Sequence, residues 1–511
     1  MPYFLAIDAG TGSGRAVLFD ETGAEIAASG QEWWHATDPR YPGSMDFDTA
    51  GNWATLARCC REVIAAAGVD PAEIRAVSAT AMREAFVLHD ETGAEIWACA
   101  NVDARASAEV HDLRARHPEL EAEIYARSGQ TYALGALPRL IWLQRHAPET
   151  LERARSLTML SDWILYRLSG ELTLEPSNGG TTGLLDLTTR EPLTEALKTV
   201  GLPTDLFPRI VQTGDVIGKV TSGAASETGL PEGTLAVAGG GDCQTGALGL
   251  GVVKEGDCAV MGGTFWQQVV NVPLGLTDPT MNLRVNPHMV AGLNQAEAIS
   301  FFTGAVMRWF RDGFGNGRSY TELEALSQAV PPGAHGIIPV FSDVMRYGDW
   351  FHAAPSLLNL SIDPALGGPA AIFRALQENA AIVSHRNLEA VFALSGHRPE
   401  RLVFAGGAAR SAHWAQILAD VTGLRVTTPK VSEATAQGCA VAAATGAGQF
   451  ASLAEAGGAW ARIDREFTPD TSLRGLYDEA GDAWARAYAV QRDLVRAGVT
   501  TSMWHAPGTL G

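Results

Sequence analysis

Short apolar runs broken by glycine, rather than helical spacing, dominate the first thirty positions of the chain. "LAIDAGTGSGRAVLFD" (5–20) predicts a strand, a glycine-rich bend and a second strand. "DETGAEI" (20–26) then turns the chain at Thr22-Gly23 into a third strand, and the same heptapeptide returns at 90–96 between two more apolar strands. Between the copies, "NWATLARCCREVIAAAG" (52–68) has the period of a helix and "IRAVSATA" (74–81) reads as a buried strand. Hairpins, helix and strand in alternation predict a mixed α/β layer with helices packed on a sheet.

Further along, helical spacing recurs around 104–117, 138–154 and 160–168, and the polar, glycine-rich 176–190 reads as a loop or edge hairpin. "TLAVAGGGDCQTGALGLG" (234–251) predicts a strand, a glycine turn and a helix from near Gln244. "CAVMGGTFWQQVVN" (258–271) is again strand, glycine turn, strand. An aromatic helix is expected over 298–315, then a loop-rich stretch to about 365 and a long helix over 369–394. A strand at 402–405 leads through glycines straight into another helix. The tail, 477–498, sets Ala480, Trp484, Tyr488 and Val495 on one face of an amphipathic helix. A glycine-turn hairpin thus opens each half. The expected fold is α/β, with two domains of related construction, 1–250 and 251–511, whose phosphate turns face each other across a cleft.

Composition narrows the class without changing that picture. With 511 residues the chain exceeds one ordinary core, and 46% hydrophobic with 19% charged residues suits a packed globule. A formal net charge of −19 argues against nucleic-acid binding through a general basic surface, although backbone amides can still hold a small anion. Cys59, Cys60, Cys99, Cys243, Cys258 and Cys439 form no CxxC pair, and no HExxH occurs, so no zinc site is legible and buried or idle thiols are expected. No charged-then-apolar leader and no apolar run of membrane-spanning length is found, so a cytoplasmic protein without membrane contact is expected.

The opening bend carries the candidate chemistry. A dinucleotide fingerprint would need its third glycine at Arg15 and a helix afterwards; a Walker A loop would need Gly-Lys-Ser/Thr, whereas Gly218-Lys219 is followed by Val220. What remains is Asp8, Gly10, Thr11, Gly12, Ser13 and Arg15 in the order of a phosphate-holding turn. Glycines let backbone N–H groups approach phosphate oxygens, the two hydroxyls add donors, and Arg15 offsets charge. Asp8, at the strand end, is placed to hold a hydrated magnesium ion. An ordinary glycine-rich hairpin explains the stretch alone; the device's recurrence at Gly263-Thr264 and Gly406-Gly407 weakens that reading. Asp242 follows three glycines and precedes a helix, which fits either an N-cap or a carboxylate projecting from a strand end.

Taken together, five motifs in order resemble the FGGY carbohydrate kinases, built on the duplicated actin-like, ribonuclease H-like ATPase fold. They are "AIDAGTGSGR", "GGGDCQTGALG", "GGTFWQ", "FFTGAVMRWFRDGF" and "VFAGGAARSAHWAQILADVTG", with "EATAQGCAVAAATGAG" (433–448) closing the set. The resemblance implies ATP and Mg2+ as cofactors, with Thr11, Gly12, Ser13, Arg15, Gly263, Thr264, Gly304, Gly406 and Gly407 at the nucleotide. It implies Asp8 at the metal and Asp242 as general base. Met82, Arg83 and Glu84, in "AMREAFVL", would join Asp242 at the substrate; a plain surface pair is the alternative for Arg83-Glu84.

The acceptor alcohol is the finer question. Glycerol kinases share the Arg-Glu pair but have a tyrosine near Leu134, and xylulose kinases have Met-His at Met82-Arg83. "SMDFDTAGNW", "SNGGTTGLLDLTTR", "RVNPH" and "FSDVMRYGDWFHAAPS" resemble instead the family members that phosphorylate a terminal hydroxyl of linear 4,5-dihydroxypentane-2,3-dione, a quorum-sensing signal. A pentulose kinase of the same family, and a catalytically idle nucleotide sensor, are the alternatives. Ser411 stands where glycerol kinases place an asparagine near adenine, and Cys243 where they place glutamine. The aromatic set Phe265, Trp266, Trp309, Phe310 and Trp350 could wall a pocket or fill the core. The expected partners are a small-molecule substrate and ATP, and a homo-oligomer is left open.

Overall fold

Every residue of the strand Tyr3–Ala9 from Phe4 onward is buried, which requires cover on both faces and pairing on both edges. A computed structural model, describing residues 1–509, supplies both. Ser13–Asp20 pairs antiparallel on one edge, setting Arg15 opposite Asp8, and Ile74–Ala81 pairs parallel on the other. Glu25–Glu32 continues the meander beyond Ser13–Asp20; Leu235–Gly241 runs parallel to Ile74–Ala81, and Val216–Lys219 closes a six-stranded sheet. Alternate strand residues feed two cores: Leu5, Ile7 and Leu18 meet the helix Thr49–Ala67, while Phe4, Ala6, Val17 and Phe19 meet the helix Ala434–Gly446.

Both "DETGAEI" segments are hairpin turns built alike. Asp20 Oδ1 accepts from the Thr22 and Ala24 N–H groups, Asp90 Oδ1 does the same for Thr92 and Ala94, and Gly23 and Gly93 take positive φ.

The chain forms two compact units. The first contains Met1–Glu255, Asn271–Gln295 and Glu433–Ala461; the second contains Gly256–Val270, Ala296–Ser432 and the chain from Arg462 onward. They are therefore interleaved in sequence rather than two consecutive halves, because the alanine-rich helix Ala434–Gly446 packs on the first sheet.

In the second unit, Cys258–Gly262 pairs antiparallel with Trp266–Pro273 and parallel with Arg401–Ala405, which pairs parallel with Arg425–Pro429. Leu293–Ser300 lies beyond Trp266–Pro273 in this sheet. Counted along the chain, five strands stand in the order 3-2-1-4-5 in each sheet, with an antiparallel pair and two parallel additions in both. The two units share the expected construction. The long helix Pro369–Ser395 covers the second core, and Trp484 and Tyr488 of the helix Arg474–Arg496 are buried, with Ala480 and Val495 half-buried beside them.

Four elements differ from expectation. The strand at 235 does not turn at its glycines; it runs through Gly241, and the helix starts at Asp242. Those glycines serve close packing: a Cβ on Gly239 would strike the Ala79 carbonyl, and one on Gly240 the Ser177 hydroxyl. Residues 298–300 are strand, Phe302 takes a left-handed φ of 56°, and the aromatic helix begins only at Thr303. The polar segment after 175 is no exposed loop but a buried turn of helix, Pro176–Gly179, followed by a 3-10 turn, Gly180–Thr182. The helix expected over 138–154 breaks at Ala147, because Pro148 has no N–H to continue it. All six cysteines are buried thiols outside any disulfide, and no helix among the described residues is long and apolar enough to cross a membrane.

Candidate functional site

The first glycine bend closes through the Gly10 N–H on the Ser13 carbonyl, 2.9 Å. It is fixed from behind. Trp33 Nε1 donates to the Gly10 carbonyl at 3.1 Å, and His35 Nε2 donates to the Thr11 carbonyl at 2.7 Å. Burial lowers the His35 pKa, so the ring is neutral, and a carbonyl partner places its hydrogen on Nε2. Asn101 Nδ2 donates to Thr11 Oγ1 at 2.9 Å, and Gly12 is exposed at the tip.

Beneath the bend, Arg15 bridges acids. Its Nε lies 3.4 Å from Asp8 Oδ2, and its other arm pairs with Glu433. Burial pushes the Asp8 carboxyl up to about 7; Arg15 opposes this, and the charges of Asp242 and Glu433 reinforce it. Asp8 Oδ1 is buried with no hydrogen-bond partner. A strand-end carboxylate short of positive charge, with an oxygen to spare, fits a magnesium ion. Among the described residues no cluster of three or more His, Cys, Asp or Glu could hold a metal.

Asp242 opens the helix Asp242–Gly249 from its first position, with Gly241 in the N-cap position. Its side chain is 39% exposed, Oδ1 accepts from the Cys243 N–H at 2.7 Å, and the buried Arg83 brings Nε to 3.6 Å. A Cβ on Gly241 would crowd the Gln244 amide oxygen and the Arg83 stem. Glu84 follows in a left-handed conformation, φ 62°, costly for a residue with a Cβ. Three contacts impose it: its N–H donates to Thr181 Oγ1, its carbonyl accepts from Arg139, and its carboxylate pairs with the equally buried Arg284. Arg83-Glu84 is thus no exposed surface pair. Met82, expected beside them, is fully buried in the apolar core, because its N–H bonds to Ala9 and turns the side chain inward.

The first unit therefore brings together Asp8, Thr11, Gly12, Ser13, Arg15, Arg83, Glu84 and Asp242. Asn101, Arg139, Arg284 and Glu433 join them and were not nominated from sequence. Arg284 and Glu433 lie inside resembling motifs without a role, as does Asn101 in "REAFVLHDETGAEIWACANVDARA" (83–106); Arg139 gives no sequence signal.

The second unit holds Gly263, Thr264, Gly304 and Gly407 around one recess of about 590 Å³; Gly406 precedes this lining without belonging to it. Gly304 sits in the first turn of the helix Thr303–Phe314, its N–H on the Thr264 carbonyl at 3.1 Å; a Cβ would strike the Gly263 carbonyl. The glycine bend and this helix N-terminus therefore abut, a setting suited to an anion. Gly406, φ 88°, passes so near the Gly262 backbone that no side chain fits. Ser411 lines the recess, yet its Oγ accepts the Trp414 N–H and caps the helix Ala412–Thr422. Trp266 is fully buried on Phe404 and Trp414 and also lines the recess; Phe310 and Trp350 are core, Phe265 is half-buried, and of the five only Trp309 is exposed. Cys243 is buried against Gln295.

Residues 3–249 match the N-terminal domain, and residues 270–447 the C-terminal domain, of the FGGY family of carbohydrate kinases. The chain is 51% identical over 517 residues to the autoinducer-2 kinase of Salmonella paratyphi A, covering 99% of this chain and 98% of that one. It is 52% identical over 517 residues to that of Escherichia coli, with the same coverage. Among solved structures, xylulose kinase from Lactobacillus acidophilus superposes with a TM-score of 0.86 at 19% identity, covering 97% of this chain and 99% of that one. Glycerol kinase from Plasmodium falciparum, with ADP, gives 0.81 at 18%, covering 96% and 98%. At such identities these two likenesses concern the fold.

Proposed function

The chain belongs to the FGGY family of carbohydrate kinases, and from that premise we propose that it transfers the γ-phosphoryl of ATP to the terminal hydroxyl of linear 4,5-dihydroxypentane-2,3-dione, giving the 5-phosphate. The substrate reading is supported by 51–52% identity to autoinducer-2 kinases over nearly the whole chain. The single observation that carries the chemistry is the half-exposed Asp242 carboxylate at a strand end, 3.6 Å from Arg83, the residue that precedes Glu84.

In this reading Asp242 accepts the hydroxyl's hydrogen bond and takes its proton as the oxygen attacks phosphorus. A P–O bond forms to the alcohol, and the bond to the ADP oxygen breaks. Such general-base help is worth about 10²–10⁴-fold. Arg83 and Glu84 offer a donor and an acceptor to a molecule bearing both carbonyls and hydroxyls, with Met82 filling the core behind them. Thr11, Gly12, Ser13 and Arg15 hold the phosphates being transferred, and Gly263, Thr264, Gly304, Gly406 and Gly407 hold the nucleotide. Mg2+ at Asp8 would neutralise charge on those phosphates. The product's added charge keeps it from crossing a membrane.

Initial rates of ADP release with the dione, xylulose, ribulose and glycerol test the reading. The dione is expected to give the highest kcat/KM, and Asp242→Asn to lose about 10²–10⁴-fold in kcat. A higher kcat/KM for either pentulose would make the protein a pentulose kinase. ATP binding without stimulation by any alcohol would leave a nucleotide sensor.

A further inference from the structure

We infer that Asn101 is a positioning residue for the first phosphate turn: its amide sets which way the Thr11 hydroxyl points. The amide's own orientation is settled by its two partners. Oδ1 accepts the Val102 N–H at 3.0 Å, which leaves Nδ2 to face Thr11 Oγ1, 2.9 Å away. A hydroxyl that accepts a hydrogen bond turns its own hydrogen away from the donor. Thr11 is half-buried beside the exposed Gly12, and we take that direction to be the open side of the bend. The Thr11 carbonyl is meanwhile tied back by Trp33 and His35, so the residue cannot swing to change the arrangement. The outcome is a hydroxyl preset as a donor toward an anion.

Asn101 is itself held. Arg139, 2% exposed, donates through Nη2 to the Asn101 carbonyl at 2.8 Å and the Asp103 carbonyl at 2.9 Å, and through Nη1 to the Glu84 carbonyl at 2.6 Å. Asp103 in turn accepts the Met45 N–H at 2.7 Å. One buried guanidinium thus fixes the backbone that aims Asn101 and the left-handed residue at the substrate end.

The inference rests on the proposed seating of ATP phosphates at this turn. A preset donor to a charged oxygen is worth roughly tenfold in affinity, and one facing the phosphate with lone pairs costs more. The test is a double-mutant cycle on the full chain, with ATP varied at saturating alcohol and ATP affinity read separately by titration calorimetry. Asn101→Ala is expected to lower kcat/KM for ATP roughly tenfold at unchanged melting temperature. In a Thr11→Ala background the same substitution should cost less than about twofold, and in Thr11→Ser the full loss should return. Asn101→Asp, which keeps the shape, should be worse than Asn101→Ala, because its carboxylate would capture the Thr11 hydrogen. Equal losses in the wild-type and Thr11→Ala backgrounds, or none in either, would overturn the inference. A wild-type protein that phosphorylates no alcohol would instead sink the proposed function, and the calorimetric cycle would still decide the role of Asn101.

Discussion

Asp162 and Glu175 lie wholly inside the first unit, 1% and 2% exposed, with the Glu175 N–H on Asp162 Oδ1 at 2.9 Å. Burial raises both carboxyls, and Asp162 stands well above the ordinary range, with the charge of Glu175 adding to the effect. A raised carboxyl binds more protons folded than unfolded. Its stabilisation is therefore complete below the ordinary carboxylate range near 3.8 and is lost as pH climbs through the folded value. Asp162→Asn removes that loss, so the stability gap between variant and wild type should widen in favour of the variant as pH rises above the ordinary carboxylate range. The scale is about 1.4 kcal/mol for each pH unit over which the folded carboxyl stays protonated. Any fixed cost of seating the amide cancels in the comparison; a gap flat with pH in thermal melts would refute it. At this scale legibility follows distance along the chain. Asp8, Thr11, Ser13 and Arg15 share one hairpin, so their order could be read directly. Arg284 lies 200 residues from Glu84, and Arg15 reaches 418 residues to Glu433; spacing carries no trace of either contact.

The elements were legible wherever a hydrophobic period runs uninterrupted, as in Thr49–Ala67, Ile74–Ala81 and Pro369–Ser395. They were misread where glycine does something other than turn. Gly239 to Gly241 continue a strand because neighbouring backbone leaves no room for a side chain, and local sequence cannot report that neighbour. The same holds where the helix Asp242–Gly249 crosses Ala434–Gly446: a Cβ on Gly249 would strike the Ala434 carbonyl, and one on Gly438 the Thr245 carbonyl. Close approach here keeps the Asp242 helix seated on the sheet. Gly438→Ala should cost about 1–3 kcal/mol as overpacking and lower kcat by shifting the helix that carries Asp242. Urea denaturation and turnover check both; a variant with unaltered stability and rate would show that the crossing has slack. The buried 176–182 segment was misread for a related reason. Several of its polar side chains find partners inside the protein, as when Ser177 bonds Glu175 and accepts the Gly241 N–H and Asn178 Nδ2 donates to Ser161, so polarity did not mean exposure.

Across the whole molecule, one strand order used twice gives each unit its own glycine-turn hairpin, and the two units divide the proposed work. Every residue lining the recess proposed for the nucleotide belongs to the second unit, while Asp242 and Arg83 belong to the first. Repetition made the general plan readable, since ordered motifs survive even when intervening contacts are unknown. The return of 433–461 to the first unit was not readable, because an alanine-rich helix names no partner. The division has a measurable consequence. Asp242→Asn should bind ATP with wild-type affinity while losing turnover, because nothing lining the recess has changed. Gly304→Ala should behave oppositely: its Cβ presses the helix N-terminus off the Gly263-Thr264 bend, raising the ATP dissociation constant roughly tenfold or more at modest cost to the Asp242 chemistry once ATP saturates. Calorimetric titration of ATP, paired with kcat at saturating nucleotide, separates the two. If Asp242→Asn weakens ATP as much as Gly304→Ala does, binding and proton removal are not divided between the units, and the nucleotide must depend on the first unit for most of its affinity.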